Sequence, residues 1–472
     1  MSSGSGQEFP YHDALKTDIR FWKKVFTEIH SNQYLIHDSE YLSIIYEVVS
    51  FDSTVSERRQ EKRIEKIKEG YKKLLLKFHY NRIKISELPP REQKLYKQFE
   101  TIKEKNKFKK AAKRIRAQRG IRENFLSGVE RSFAYLPSME KIFNYYGLPK
   151  NLIYMPHIES SFNPRAASHV GARGMWQFMR STARLYMRVN SRVDERYDPV
   201  YSTRAAAKLL KKNYQVLKDW ALAITAYNHG LGSMKRARRK FGRDYLKIRE
   251  NYLRRSFGFA SKNFYPEFLA AVELMDSLDH YFPGLNKHQP LQFQDLKLTR
   301  SINLPRFCRK MNISINELKE LNPSYKRSLW RGSRKISKGY NLRLPAETDM
   351  KQVLAYFYQE AVKENLALSR EKQKSLQQNT ISPGKVKSSS AKTIVVNLLK
   401  PSVEPGEIRV DIGKIKLAFK ENRNKKSAEE KNRGETPAIK IAGQTTVEES
   451  GKNLKKKITT YQLEEILAAN LA

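Results

Sequence analysis

One pattern in residues 148–178 narrows what this chain can become: a carboxylate set into an apolar helix, a proline break directly after it, and two glycines three residues apart. Leu148, Leu152, Met155, Ile158 and Phe162 recur at helical spacing, which predicts a mostly buried helix over 148 to about 160 with Glu159 near its C-terminal end. Pro149 suits the first turn, and Pro156 should kink the helix. Removal from water disfavours the charged form of a carboxyl. Glu159 should therefore keep its proton near neutral pH and be able to give it to a leaving oxygen.

The next residues supply what such an acid needs. Asn163-Pro164 stops the helix, because proline cannot donate a backbone hydrogen bond and pushes its predecessor out of the helical region. Gly171 and Gly174 bracket a turn and let the backbone approach a ligand closely. Met175-Trp176-Gln177-Phe178 then sets an amide between apolar and aromatic side chains. A sugar ring has an apolar face and a polar rim. Trp176 could stack on the face, while Gln177 could hydrogen-bond the rim or orient Glu159. Further on, residues 220–232 (Trp-Ala-Leu-Ala-Ile-Thr-Ala-Tyr-Asn-His-Gly-Leu-Gly) read as a closely packed helix ending near Asn228, with Tyr227 and Asn228 opening onto a cleft.

Glu-Ser-Ser-Phe-Asn-Pro from Glu159, Gly-Ala-Arg-Gly-Met-Trp-Gln-Phe up to Phe178 and Ala-Tyr-Asn-His-Gly up to Gly230 resemble the three signatures of the lysozyme-like lytic transglycosylases of bacterial cell walls. The likeness is to the membrane-bound lytic murein transglycosylase D type, and it covers roughly residues 121–285. It implies a mainly helical SLT domain that cleaves the bond between N-acetylmuramic acid and N-acetylglucosamine and leaves 1,6-anhydromuramic ends. It also implies that Glu159 is the single catalytic residue, acid then base, and that Ser160, Gly174, Met175, Trp176, Gln177, Tyr227 and Asn228 bind substrate. Ordinary glycosidases use two carboxylates. A hydrolysing muramidase assisted by Asp194 or Asp198, or a non-catalytic wall-binding protein, are the alternatives. Asp194, Glu195 and Asp198 read as structural, since Asp-Pro and Ser-Thr fit a turn and a helix cap. The chain departs from the family at 260–266, Ala-Ser-Lys-Asn-Phe-Tyr-Pro, where many relatives have a Glu-Thr pair and a Tyr. Phe264 falls at that Tyr, and Tyr265 beside it is taken as a further substrate-binding residue.

Outside this stretch the reading rests on composition and pattern. The chain has 472 residues and a net charge of +42, so a polyanion is its natural partner: peptidoglycan peptides, an anionic wall or membrane surface, or nucleic acid. No aromatic-stacking or zinc signature supports specific nucleic-acid binding. The single cysteine, Cys308, excludes an intrachain disulfide, and no Cys or His spacing calls for a metal or cofactor. His157 and His229 read as hydrogen-bonding cleft residues. The opening Met-Ser-Ser-Gly-Ser-Gly lacks a signal peptide and no run of residues is apolar enough to span a membrane. A wall enzyme must reach the periplasm or envelope, so a leader is expected to have been removed or replaced; otherwise the chain is cytoplasmic.

The expected architecture is a mainly α chain in four parts: a helical N-terminal scaffold (1–120), a lysozyme-like catalytic domain (121–285), a small α+β module (286–347) and a basic, low-complexity, disordered tail (348–472). In the scaffold, 34–37 and 41–49 fit strand or helix, and 56–78 is a helix. Arg114, Arg116, Arg119 and Arg122 alternate with apolar residues through 129, predicting an amphipathic helix with an arginine face. The strand-helix-helix-strand order of 291–345 resembles the LysM module, which binds N-acetylglucosamine-containing glycans, although the usual Gly-Asp-Thr before the first helix is missing. The tail has a helix to about 364, two alternating segments at 394–399 and 408–417, and a possible helix over 462–471.

Overall fold

The computed structural model describes residues 9–378 and two short strands at 439–441 and 445–447. The segments 394–399, 408–417 and 462–471 lie outside the described residues. The chain divides into two units, one of residues up to 292 with 322–328, the other of the remainder. The elements in order are α1 (Lys16–Thr27), β1 (Gln33–Asp38), β2 (Ile45–Ser50), α2 (Glu57–Tyr80), α3 (Pro90–Gln98), α4 (Lys107–Ala111), β3 (Ile115–Arg119), α5 (Arg122–Ser132), α6 (Leu136–Tyr145), α7 (Met155–Ser160), α8 (Arg180–Ala183) and α9 (Pro199–Leu217). They continue as α10 (Trp220–His229), α11 (Leu231–Phe241), α12 (Tyr245–Asn251), α13 (Phe259–Asp276), α14 (Leu278–Tyr281), β4 (Phe293–Lys297), α15 (Leu304–Met311), α16 (Ile315–Leu321), α17 (Arg327–Trp330), β5 (Asn341–Pro345), α18 (Met350–Gln378), β6 (Ile439–Ile441) and β7 (Thr445–Val447). The mainly helical class expected from the sequence is what the structure shows.

Two cores organise the first unit. The larger gathers α1, α5–α7 and α9–α13, with Phe125, Phe143, Trp176, Tyr245 and Phe268 fully buried. α13 packs on α1, α7 and α10, and α10 packs on α9. Buried charges are paired across it: Arg249 binds Asp18, and Lys23 meets Glu273 at 3.0 Å. The smaller core lies between the sheet and α2–α4, around Ile36, Tyr71, Leu75, Phe78, Phe99 and Phe108.

The N-terminal region, read as a helical scaffold with strand or helix at 34–37 and 41–49, holds a three-stranded sheet. Its sheet has the order β2-β1-β3, with β1 antiparallel to both neighbours. The arginine-faced helix over 114–129 is also corrected: residues 115–119 are β3, and a helix begins only at Arg122. Two physical facts decide this. Ile115 and Ala117 pack on the smaller core, which is a two-residue period. Gly120 then presses the backbone onto the end of α1, where a Cβ would lie 2.3 Å from the Ile29 carbonyl oxygen. Two of the four arginines are tied into the fold instead of forming a solvated face, while Arg116 and Arg119 are exposed. Arg114 binds Asp38 (3.2 Å) and Glu104 (2.8 Å), and Arg122 donates to the Thr27 carbonyl (2.9 Å).

In the second unit β4 and β5 pair antiparallel from Phe293↔Pro345 to Lys297↔Asn341, with α15 and α16 between them in sequence. Leu296, Phe307, Leu318, Leu342 and Leu344 are buried, as is the free Cys308. Where LysM modules usually carry Gly-Asp-Thr, the Asn303 side chain caps α15 by accepting from the Arg306 amide at 3.1 Å. α18 runs to Gln378, beyond the expected stop near 364.

Candidate active site

Glu159 sits on a short helix whose shape differs from the one expected. The segment is a 3-10 turn over Lys150–Tyr154 followed by the six-residue α7, and Pro156 begins the second piece instead of kinking a single helix. The helix ends before Asn163-Pro164, at Ser161 (φ 50°) and Phe162 (φ 54°), two successive left-handed residues. α5 holds that end in place. Gly128 lets the helices touch, since a Cβ there would lie 2.7 Å from the Ser161 carbonyl oxygen, and Arg131 donates to the same oxygen at 2.9 Å.

Glu159 is half-buried as a residue, and its carboxyl is packed round by protein. Among the described residues no hydrogen-bond donor reaches it. Burial alone pushes its pKa from the ordinary 4.5 to about 8. His157, on the same helix, is not the cleft residue expected. It is buried between the rings of Phe125, Phe162 and Tyr154, neither ring nitrogen has a partner, and desolvation drives its pKa down to about 3.

The glycine turn closes against α7. Ser160 Oγ donates to the Met175 carbonyl at 2.8 Å. Gly174 (φ 77°) passes so near the neighbouring loop that a Cβ would lie 1.7 Å from the Arg196 carbonyl oxygen. This sharp turn sends the following side chains inward. Met175 and Trp176 are wholly buried, with Trp176 stacked on Phe143 (centroids 5.9 Å apart) and its Nε1 donating to Thr203 Oγ1 at 2.9 Å. Trp176 is therefore a core residue and cannot stack on a sugar face, and Met175 offers only its carbonyl. Gln177 (φ 45°) donates from Nε2 to the Gly174 carbonyl at 2.8 Å, which leaves its Oε1 as an acceptor; no hydrogen bond joins it to Glu159.

α10 delivers Tyr227 and Asn228. Tyr227 OH donates to the Trp176 carbonyl at 2.8 Å, and burial together with the nearby Glu159 raises its pKa well above the usual value. Asn228 is exposed, and its Oδ1 accepts from Ser261 Oγ at 3.0 Å. The serine proton is thereby used, so the 3.1 Å contact between Ser261 Oγ and His229 Nδ1 has the histidine as donor. The relay fixes the Asn228 amide with its NH2 free to meet a ligand.

Three acids of the neighbouring loop are occupied by the fold. Asp194 takes a two-pronged contact from Arg196 (2.9 and 2.8 Å), whose Nη1 also reaches the Gly171 and Phe178 carbonyls. Glu195 accepts from the Arg188 amide at 2.6 Å, and Asp198 caps α9 through the amides of Val200 and Tyr201.

Tyr265 is misplaced in the sequence reading. It is fully buried, with its OH donating to the Pro10 carbonyl at 2.8 Å. What α13 gives the site instead is Ser261 and Glu267. Glu267 lies within electrostatic reach of Glu159, and burial first, then that neighbour, raises its pKa well above the usual value. The signal for Glu267 was present, since it too is a carboxylate in an apolar helix, Tyr-Pro-Glu-Phe-Leu-Ala-Ala. Among the described residues no group of three or more His, Cys, Asp or Glu side chains could hold a metal ion.

Residues 138–248 match the transglycosylase SLT domain family. Over that stretch the chain resembles this family. It is similar to the membrane-bound lytic murein transglycosylase D of Escherichia coli strain K12, 29% identical over 194 residues that cover 38% of this chain and 40% of that protein. It is also similar to a putative tributyltin chloride resistance protein of an Alteromonas species, 39% identical over 92 residues that cover 19% of this chain and 44% of that protein. The chain thus spans about two fifths of the length of the curated relatives it matches. The SLT match contains Glu159, the glycine turn, Tyr227 and Asn228, and excludes Ser261 and Glu267.

Proposed function

We propose that the chain is a peptidoglycan lytic transglycosylase of the bacterial cell envelope, and that Glu159 is its single catalytic residue. The observation that carries the reading is a carboxyl on a half-buried residue, its pKa raised to about 8 by burial alone, at the meeting of the three signature segments. In the reaction Glu159 gives its proton to the glycosidic oxygen as the bond to the muramic C1 breaks, and the N-acetylglucosamine leaves with that proton. The substrate's own acetamido oxygen stabilises C1. The Glu159 carboxylate then takes the proton of the muramic C6 hydroxyl as O6 bonds to C1, which restores the acid and gives a 1,6-anhydro end. Asn228 NH2 and Gln177 Oε1 are the donor and acceptor offered to the sugar rims.

A second reading is hydrolysis. The carboxylates that could support it are not Asp194 or Asp198, which the fold occupies, but Glu267. A group held so firmly neutral is a poor nucleophile or base, which favours transglycosylation. The β4–β5 unit, with its LysM-like order, adds a candidate contact to the same glycan. Mass spectrometry of muropeptides released from purified sacculi tests the reading. Anhydro ends from the native chain and none from Glu159→Gln are expected; reducing ends would overturn it in favour of water.

A further inference from the structure

Four arginines follow one another along β3 and the start of α5. Arg114 binds two carboxylates, Arg119 reaches Glu57 (3.3 Å) and the Ser31 carbonyl (2.7 Å), and Arg122 holds the Thr27 carbonyl. Arg116 differs. It is exposed, no hydrogen bond or ion pair satisfies its guanidinium among the described residues, and the group lies 4.2 Å from the centre of the Phe259 ring. Phe259 opens α13, and two residues on, Ser261 holds the Asn228 amide of the cleft. Arg116 therefore stands within one helical turn of the cleft wall although it comes from the N-terminal sheet.

The charges around it leave it uncompensated. His37, its partner across the β1–β3 pair, is buried and held neutral, with a pKa near 4. Glu267 is the carboxyl in its field, and burial raises the pKa of that group well above the usual value against the pull of Arg116. Glu40 is taken by Lys262 at 3.5 Å. Ala260, exposed on the same wall, brings no charge.

We propose that Arg116 is a substrate-binding residue for a carboxylate of the peptide that hangs from the muramic sugar. This rests on the reading of the cleft as a peptidoglycan site. The amino sugars of such a strand are uncharged and the muramic lactyl carboxyl is consumed in the amide to the peptide, so the anions beside the scissile bond belong to that peptide. A flat guanidinium held on an aromatic ring is preset for a two-pronged contact with a carboxylate and loses little freedom in making it.

The test uses the full chain and two glycan preparations of matched length, one bearing peptides and one stripped of them by an amidase, with the lactyl carboxyls so freed capped as methylamides. Binding is measured on Glu159→Gln, with and without Arg116→Gln, so that it does not depend on turnover; kcat/KM is measured on the Arg116→Gln and Arg116→Lys chains. The native preference for peptide-bearing strands should fall about tenfold in Arg116→Gln, chiefly through KM, and recover in part in Arg116→Lys, which keeps the charge but not the fork. Equal losses on both strands, or no preference in the native chain, would overturn the assignment. Binding that follows the peptide while neither strand is cut would leave it standing and overturn the catalytic reading instead.

Discussion

Glu159→Gln should stabilise the protein, and by an amount that depends on pH in a defined way. An unfolded chain ionises this carboxyl above 4.5, whereas the folded chain holds the proton up to about 8. Between those values the folded state binds the extra proton, so its stability falls as pH rises through 4.5 and the loss is complete by about 8. At pH 7 the ceiling is about 3 kcal/mol, taking about 1.4 kcal/mol per pH unit. The residue is only half-buried, which reduces that to about 1.5 kcal/mol. A neutral glutamine of the same shape avoids the cost and also relieves Glu267 and Tyr227 of a like charge when the site ionises.

Thermal unfolding of the two chains at pH 4 and pH 7 reads this directly. The variant should melt about 3 °C higher at pH 7, with the gap closing at pH 4, where both chains hold a neutral group. Other ionisations cancel in the difference. A gap of equal size at both pH values, or a native chain that is the more stable at pH 7, would refute the account of Glu159 as a carboxyl held at a cost. Activity shares the origin: the ionisation that completes the loss of stability near pH 8 also removes the acid, so turnover should fall there.

Two further outcomes follow from the site's supports. Gly174→Ala must force apart the turn and the Arg196 carbonyl while holding an alanine at positive φ, so urea unfolding should show a loss of more than about 3 kcal/mol, and one under about 1 kcal/mol would contradict the packing described. Ser261→Ala removes the donor that fixes the Asn228 amide; kcat/KM should fall about tenfold with the melting point within a few degrees of native, and unchanged turnover would show that the relay does not position Asn228.

What was legible in the sequence was local. An acid among apolar residues at helical spacing singled out Glu159, and helix-end glycines singled out Tyr227 and Asn228, because the causes of both signals lie within a few residues. Trp176 was misread for a reason the pattern does not contain. Its spacing fits a cleft, but the direction of its side chain is set by how closely Gly174 meets Arg196 twenty-two residues later. Tyr265 was chosen by adjacency to Phe264, but its hydroxyl is taken by the Pro10 carbonyl, 255 residues away in the sequence, and the residue of α13 with a partner in the site is Ser261. β3 was taken for helix because arginines at 114, 116, 119 and 122 satisfy both periods in part, and the choice between them was made by β1, some eighty residues earlier. Arg116 and Glu267 meet only through the fold, with 150 residues between them.

The backbone strain in this unit is gathered at the same place. Of the six non-glycine residues at positive φ in the described chain, Ser161, Phe162 and Gln177 flank the acid. Such conformations cost on the order of 1 kcal/mol each and persist only where the surroundings enforce them. Here the enforcement is visible: Arg131 and the Gly128 contact hold Ser161, the core buries Phe162 completely, and Gln177 is tied to Gly174 by its own amide. In the proposed reaction one acid serves twice in a turnover and would gain from such fixed surroundings, because neither proton transfer then has to wait for the chain to rearrange. The interior of the unit thus sustains both an unpaired buried carboxyl and three strained residues beside it. Glu159→Gln removes the first cost and leaves the second, so the strained turn should persist in the variant, and its amide-exchange protection at 160–163 and 175–178 should match that of the native chain.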